Sequence, residues 1–185
     1  MSTFAKIEKT TTLLDDGVHP ATIIGVVELP DEVNPFSGKS QKKIAIRFIF
    51  NGKTYKTKEE KTFPLTTWKI YTMSCYEKAK LYPILRWALK TTTLTGVDSK
   101  ELLGKAVNLM IENKVKENKT YIEVTGATKP TQGANNEGID LVYFEEGDEV
   151  PNGLPKWIEE KITSASKASI GEIFEPETDD ETTRF

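Results

Sequence analysis

A chain of 185 residues, 37% hydrophobic and 29% charged, is long enough to bury one real core and too short for two full-sized domains. One cysteine, Cys75, excludes an internal disulfide, and with His19 as the only histidine a zinc site of the usual Cys/His type cannot be assembled. The formal charge of -3 hides an asymmetry: residues 1–38 carry -4, residues 39–129 carry +11 (19 Lys and Arg against 8 Asp and Glu), and residues 130–170 and 171–185 carry -5 each. A polyanionic partner for the middle of the chain and a lysine-solvated face are both readings of that charge alone.

Residues 1–14 read as an N-terminal extension. No apolar run there is long enough for a signal peptide, and nowhere do 18 apolar residues follow one another, so a cytoplasmic protein is expected. The β-branched segment "GVHPATIIGVVELP" (17–30) reads as a first strand, with Pro20 near its start, where a missing N–H is tolerated. After a loop containing "NPFSGKS" comes "KKIAIRFIFNGKTYKTKEEKTF" (42–63), two alternating runs joined by Asn51-Gly52. That dipeptide is the strongest short hairpin signal, because a type I′ turn needs positive φ at both positions, so strands 2 and 3 are expected to be antiparallel partners. "AKLYPILRWALK" (79–90) sets Leu81, Ile84, Leu85 and Ala88 on one helical stripe, and Pro83 then belongs in the first turn of a helix starting near Lys80. "KAVNLMIENKV" (105–115) and "KTYIEVTGATK" (119–129) alternate again as strands 4 and 5.

A β-β-β-α-β-β order is the arrangement of the five-stranded OB-fold barrel. An SH3-like barrel or a small sandwich also has five strands, but neither normally places a helix of this length between strands 3 and 4. Residues 15–129 are thus expected to form an OB-fold nucleic-acid-binding domain. In residues 130–170, "PTQGANNEG" is a loop, "IDLVYF" an extra strand or an apolar strip on the barrel, and "LPKWIEEKI" a short helix with Pro155 in its first turn. Residues 171–185 have too little apolar surface to bury and are expected to be a disordered acidic tail.

A two-residue turn at Asn51-Gly52 would pair Phe50 with Lys53, Phe48 with Tyr55, Ile46 with Thr57 and Ile44 with Glu59 on a core face. The outer face would then set Arg47 opposite Lys56, Ala45 opposite Lys58 and Lys43 opposite Glu60. Like charges directly opposed cost stability unless something negative lies between them, so Lys43, Arg47, Lys56 and Lys58 become a candidate phosphate track on the OB-fold's binding face. The other reading of that face is a hydrated surface guarded by charge against edge pairing. Sequence-independent binding also needs rings on which bases stack, and Phe36, Trp68, Tyr71 and Tyr121 fall outside the expected core stripes. "SGKS" (37–40) is not a P-loop: Val33 stands where the glycine is required, and a strand follows. No histidine near Cys75 would make it a nucleophile, and Asp98 is the only aspartate between residues 39 and 129, so neither catalysis nor a metal is expected. No cofactor is expected either.

"GVHPATIIGVVELPDEVNPFSGKSQKKIAIRFIF", the "EKAKLYPILRWAL" helix followed by "LLGKAVNLMIENKVKENKTYIEV", and "GLPKWIEEKITSAS" resemble the phage-encoded OB-fold single-stranded DNA-binding proteins, over roughly residues 15–164. The end of the chain, "EPETDDETTRF", is similar in design to the acidic tail of bacterial single-stranded DNA-binding proteins, which closes on phenylalanine. Asp179, Asp180, Glu181 and Phe185 match that design, while Arg184 stands where it has a small or apolar residue. The resemblance implies a non-enzymatic protein that coats single-stranded DNA during replication or recombination, in the host cytoplasm if phage-encoded, and recruits partner enzymes through its tail. A protein-interaction or virion-associated β-barrel, or a single-stranded RNA binder, is the alternative.

Overall fold

The computed structural model describes residues 14–117 and 119–171. Its strands are β1 (Gly17–Val33), β2 (Ser40–Lys56), β3 (Thr62–Thr72), β4 (Ala106–Lys116), β5 (Lys119–Thr128) and β6 (Val142–Phe144). The helices are α1 (Tyr82–Leu89) and α2 (Lys156–Gly171), and Ser99–Leu102 makes one 3-10 turn. The strands form a single open sheet in the spatial order β3-β2-β1-β4-β5, antiparallel along that path, with β6 added parallel to β1. The protein is therefore mainly β.

β1 is long enough to serve two partners: Gly17–Thr22 pairs with β4, and Ala21–Val33 pairs with β2. Between them its register with β2 shifts at Ile24, and an extra residue of this kind bends a strand and increases its twist. The bend lets one core draw on all five strands of the path. Ile23 and Val26 of β1, Ile44, Ile46, Phe48 and Phe50 of β2, Tyr71 of β3, Leu109 of β4 and Val124 of β5 are buried together, with Leu14 beside them. The four alternating β2 residues are those read from the sequence as core. α1 closes the cluster with Leu81, Ile84, Leu85 and Ala88, the stripe read from its spacing, and Pro83 lies in its first turn. The edge strands β3 and β5 approach closely enough for Lys69 Nζ to donate to the Ile122 carbonyl.

The expected hairpin at Asn51-Gly52 is not made. A type I′ turn needs two residues at positive φ, and here only Gly52 has it, at +69°. Asn51 is held in the strand by tertiary hydrogen bonds instead: its Oδ1 accepts from Thr22 Oγ1 at 3.0 Å, and its Nδ2 donates to the Gly133 carbonyl at 3.3 Å. Asn135 N donates in turn to Thr22 Oγ1 at 2.8 Å. β2 therefore runs on to Lys56, and the chain reverses at Thr57–Lys61, with Glu60 in the left-handed region at φ 60°. A type I turn followed by one αL residue is the next commonest way to join two strands. The partner of β2 is "TFPLTTWKIYT", of which only Thr62 and Phe63 fall within the expected third strand.

A second cluster lies on the other face of β1 and β2. Val27, Leu29 and Ala45 are buried beneath Phe144 of β6 and Leu154, Ile158 and Ile162, the last two on α2. Among the described residues no helix is long and apolar enough to cross a membrane.

Candidate nucleic-acid interface

With β3 in its actual place, the register of the expected phosphate track changes. Arg47 faces Trp68 and Lys43 faces Thr72, while Lys56 stands opposite Thr62, nine residues further along the strand that carries Arg47. The Arg47–Lys56, Ala45–Lys58 and Lys43–Glu60 pairings are thus corrected. Ala45 is fully buried under the second cluster, so the outer face of β2 is not a continuous basic row.

Arg47 is half-buried, its guanidinium carbon 5.9 Å from the centre of the Trp68 ring and its Nη2 3.4 Å from Thr66 Oγ1. Its Nε is buried without a hydrogen-bond partner among the described residues. Both side chains lie over Gly25, where a Cβ would meet Arg47 Cβ at 2.9 Å and Trp68 Cη2 at 3.0 Å. A glycine is needed there for the two strands to approach. Lys43 donates to Thr72 Oγ1 at 2.9 Å.

Lys56 and Lys58 belong to a projecting arm, the last turn of β2 and the first of β3, that leaves the core beyond Asn51. Its residues from Gly52 to Pro64 are exposed apart from half-buried Thr57. On one face of this arm the rings of Tyr55 and Phe63, partners across the strands, stack with centroids 5.9 Å apart and planes at 29°. They are 39% and 42% exposed. Strand alternation puts Lys53 on the same face as Tyr55 and Lys56 on the opposite one. Lys61 pairs with Glu59 at 2.9 Å, whereas among the described residues Lys53, Lys56 and Lys58 have no carboxylate partner. A turn at Asn51-Gly52 would put Tyr55 on the core face, and Phe63 is not among the rings expected to stack on bases. The available signal was the density of lysines in "KTYKTKEEKTF", which no buried face could tolerate.

Of the other aromatics, Phe36 is 97% exposed on an ordered turn: Asn34 Oδ1 accepts from the N–H groups of Phe36 and Ser37, at 2.9 and 3.2 Å. Trp68 is half-buried against the second cluster. Tyr121 is 50% exposed on β5, but opposite Lys114, whose ammonium is 2.6 Å from Glu112 and 4.0 Å from Glu123. The hydrogen bond and charge of Glu112 raise the Lys114 pKa above its ordinary value and keep it charged, and the Glu112 and Glu123 carboxylates beside it bring this edge closer to neutral than the arm.

Tyr71 is a correction. Its ring is 6% exposed and belongs to the main core, where no base can reach it; burial pushes its phenol well above the ordinary range, and its hydroxyl has no hydrogen-bond partner among the described residues. The physical reason is again register, since β3 turns Tyr71 inward beside Ile44. Burial lowers the Lys69 pKa, with Glu123 acting in the opposite sense.

His19 hydrogen-bonds to the Asp15 carbonyl at 2.7 Å and Cys75 Sγ to that of Leu94 at 3.1 Å. Among the described residues no group of three or more His, Cys, Asp or Glu is placed to hold a metal ion. Asp179, Asp180, Glu181 and Phe185 lie outside the described residues. No protein-family profile matches the chain, and no curated protein matches it in sequence.

Proposed function

We propose that this chain is a non-catalytic, sequence-independent single-stranded DNA-binding protein of the OB type, and that the β2–β3 arm is its principal contact. The observation that carries the reading is the exposed Tyr55–Phe63 stack on an arm with three lysines that have no carboxylate partner among the described residues. Cross-strand stacking of Tyr55 and Phe63 supports the arm itself, yet it leaves both rings about two-fifths exposed on a lysine-rich projection. Single-stranded nucleic acid presents what such a surface lacks, flat apolar bases joined by phosphates. The strand order supports the OB reading: β3 and β5 are the edges of a sheet wrapped around one core, and Lys69 reaches from one to the other, as in a partly open barrel. Phe36, in the β1–β2 loop, occupies another position from which such barrels hold a strand. Lys43, Arg47 and Trp68 lie on the outer β2–β3 face as secondary contacts, and the tail ending in Asp179, Asp180, Glu181 and Phe185 recruits replication or recombination enzymes.

The test is a fluorescence-anisotropy titration of labelled oligo-dT and of a duplex with the full chain and with the Tyr55→Ala/Phe63→Ala double variant. Stacking is worth roughly 1–3 kcal/mol per base, so the double variant should bind the single strand at least tenfold more weakly, with an unchanged far-ultraviolet spectrum. Unchanged affinity would remove the arm from the site. Absence of binding to any single strand by the unaltered chain would overturn the reading itself.

A further inference from the structure

A cleft of about 900 Å³ opens at the end of α1, between its last turn, the start of β4 and the segment that follows β5. Arg86, Lys90, Lys105 and Lys129 line it, and no aspartate or glutamate does. All four cations are exposed, and among the described residues none is within ion-pair distance of a carboxylate. Trp87, half-buried, also lines the cleft, and the Arg86 guanidinium carbon lies 4.9 Å from the centre of its ring.

Cations near a helix C-terminus complement the macrodipole, which accounts for Arg86 and Lys90 without any ligand. It does not account for Lys105 and Lys129, which come from the two strand ends across the cleft. Four like charges around one concavity repel one another, and a polyanion in the cleft removes that cost. The cleft also adjoins the arm. Gly133, on its rim, accepts the hydrogen bond from Asn51 Nδ2, and Asn51 is the residue at which β2 leaves the core to enter the arm.

We infer that the cleft is a second subsite for the same single strand, which crosses from the arm over the Asn51–Gly133 junction, sets phosphates among Lys90, Lys105 and Lys129, and stacks a base near Trp87. The inference rests on the reading of the arm as a DNA contact, and it makes the occluded length longer than the arm alone would cover.

The probes are two dT oligomers, one of about 6 nucleotides and one of about 16, bracketing much of the range that single OB folds cover. The full chain is compared with its Lys90→Gln/Lys105→Gln variant, whose neutral replacements at exposed positions leave the fold intact, as a thermal melt will register. Expected is equal affinity for the short oligomer, loss of the affinity gained on lengthening, and a logarithmic salt slope for the long oligomer shallower by about 1.4, two phosphates at about 0.7 each. In Trp87→Phe, the tryptophan quenching that appears only with the long oligomer should disappear. Long-oligomer affinity and salt slope unchanged in the glutamine variant, with the Tyr55→Ala/Phe63→Ala variant still impaired, would overturn the second subsite and leave the arm reading standing. Equal weakening on both lengths would also overturn it, because the cations would then act as a general field. If the unaltered chain binds neither oligomer, both readings fall together.

Discussion

The two ends of β2 are one strand with opposite physical chemistry. From Ile44 to Phe50 every residue but Arg47 is buried, with Ile44, Ile46, Phe48 and Phe50 in the main core and Ala45 in the second cluster; from Gly52 to Lys56 every residue is exposed. The boundary is Asn51-Gly52. There the β2–β3 register jumps from Ile49 opposite Thr66 to Thr54 opposite Pro64, so that four residues of β2 stand against Leu65 alone. A bulge of that size redirects the strand, and the Thr22–Asn51–Gly133 hydrogen bonds anchor the point at which it turns away. The contrast teaches that an aromatic on a strand is not core by default, since Phe48 and Tyr55 belong to one strand and only the first has a second layer to pack against.

The comparison breaks first in the core. Phe48→Ala should destabilise the fold by about 3–5 kcal/mol, read as a lower urea midpoint with the slope retained, because Phe48 is fully buried and its cavity cannot collapse without the rest of the sheet. Tyr55→Ala, on the arm, should shift the same midpoint by less than about 1 kcal/mol. Equal losses at the two positions would mean that the arm is packed in solution, and the distinction between the two ends of β2 would fail.

A second substitution probes the outer face between them. Gly25→Ala places a Cβ 2.9 Å from Arg47 Cβ, an atom too near the backbone to swing aside, and should cost about 1–3 kcal/mol. A quenched or shifted tryptophan emission from Trp68 should accompany the loss. A stability equal to that of the unaltered chain would show that β1 and β2 can separate at this point.

The smallest expected effect is at Tyr71. Its buried hydroxyl has no partner among the described residues, so Tyr71→Phe should be neutral or stabilising by up to about 1 kcal/mol at pH 7. Its pKa is raised above the ordinary 10.0 by burial. The folded chain therefore keeps the phenolic proton after the unfolded chain has lost it, and this contribution to stability is complete below pH 10 and is lost as the pH rises toward the folded value. The difference in stability between the unaltered chain and Tyr71→Phe should fall by about 1.4 kcal/mol per pH unit above pH 10. A flat difference would place the Tyr71 ring in water, and with it the inner face of β3.

Periodicity and composition by themselves determined where β1, the core half of β2, α1, β4 and β5 would lie. The alternation of Ile44, Ile46, Phe48 and Phe50, the stripe of Leu81, Ile84, Leu85 and Ala88, and the strands on either side of residue 118 are local patterns, and burial of apolar surface leaves each of them one sensible orientation. The charge of +11 in residues 39–129 likewise pointed to the lysine-rich middle of the chain. What only the tertiary structure decided was the partner of β2, and with it the makeup of the candidate site. Asn-Gly has a strong local preference for a turn, but Thr22, Gly133 and the segment after β5 are far from it in sequence, and their hydrogen bonds hold Asn51 extended. Once the reversal moves to Thr57–Lys61, Tyr71 turns inward, Arg47 moves onto Trp68, Lys56 leaves Arg47's side, and Tyr55 and Phe63 come together in solvent. Tertiary hydrogen bonds from residues distant in sequence therefore outweighed the best local signal in the chain.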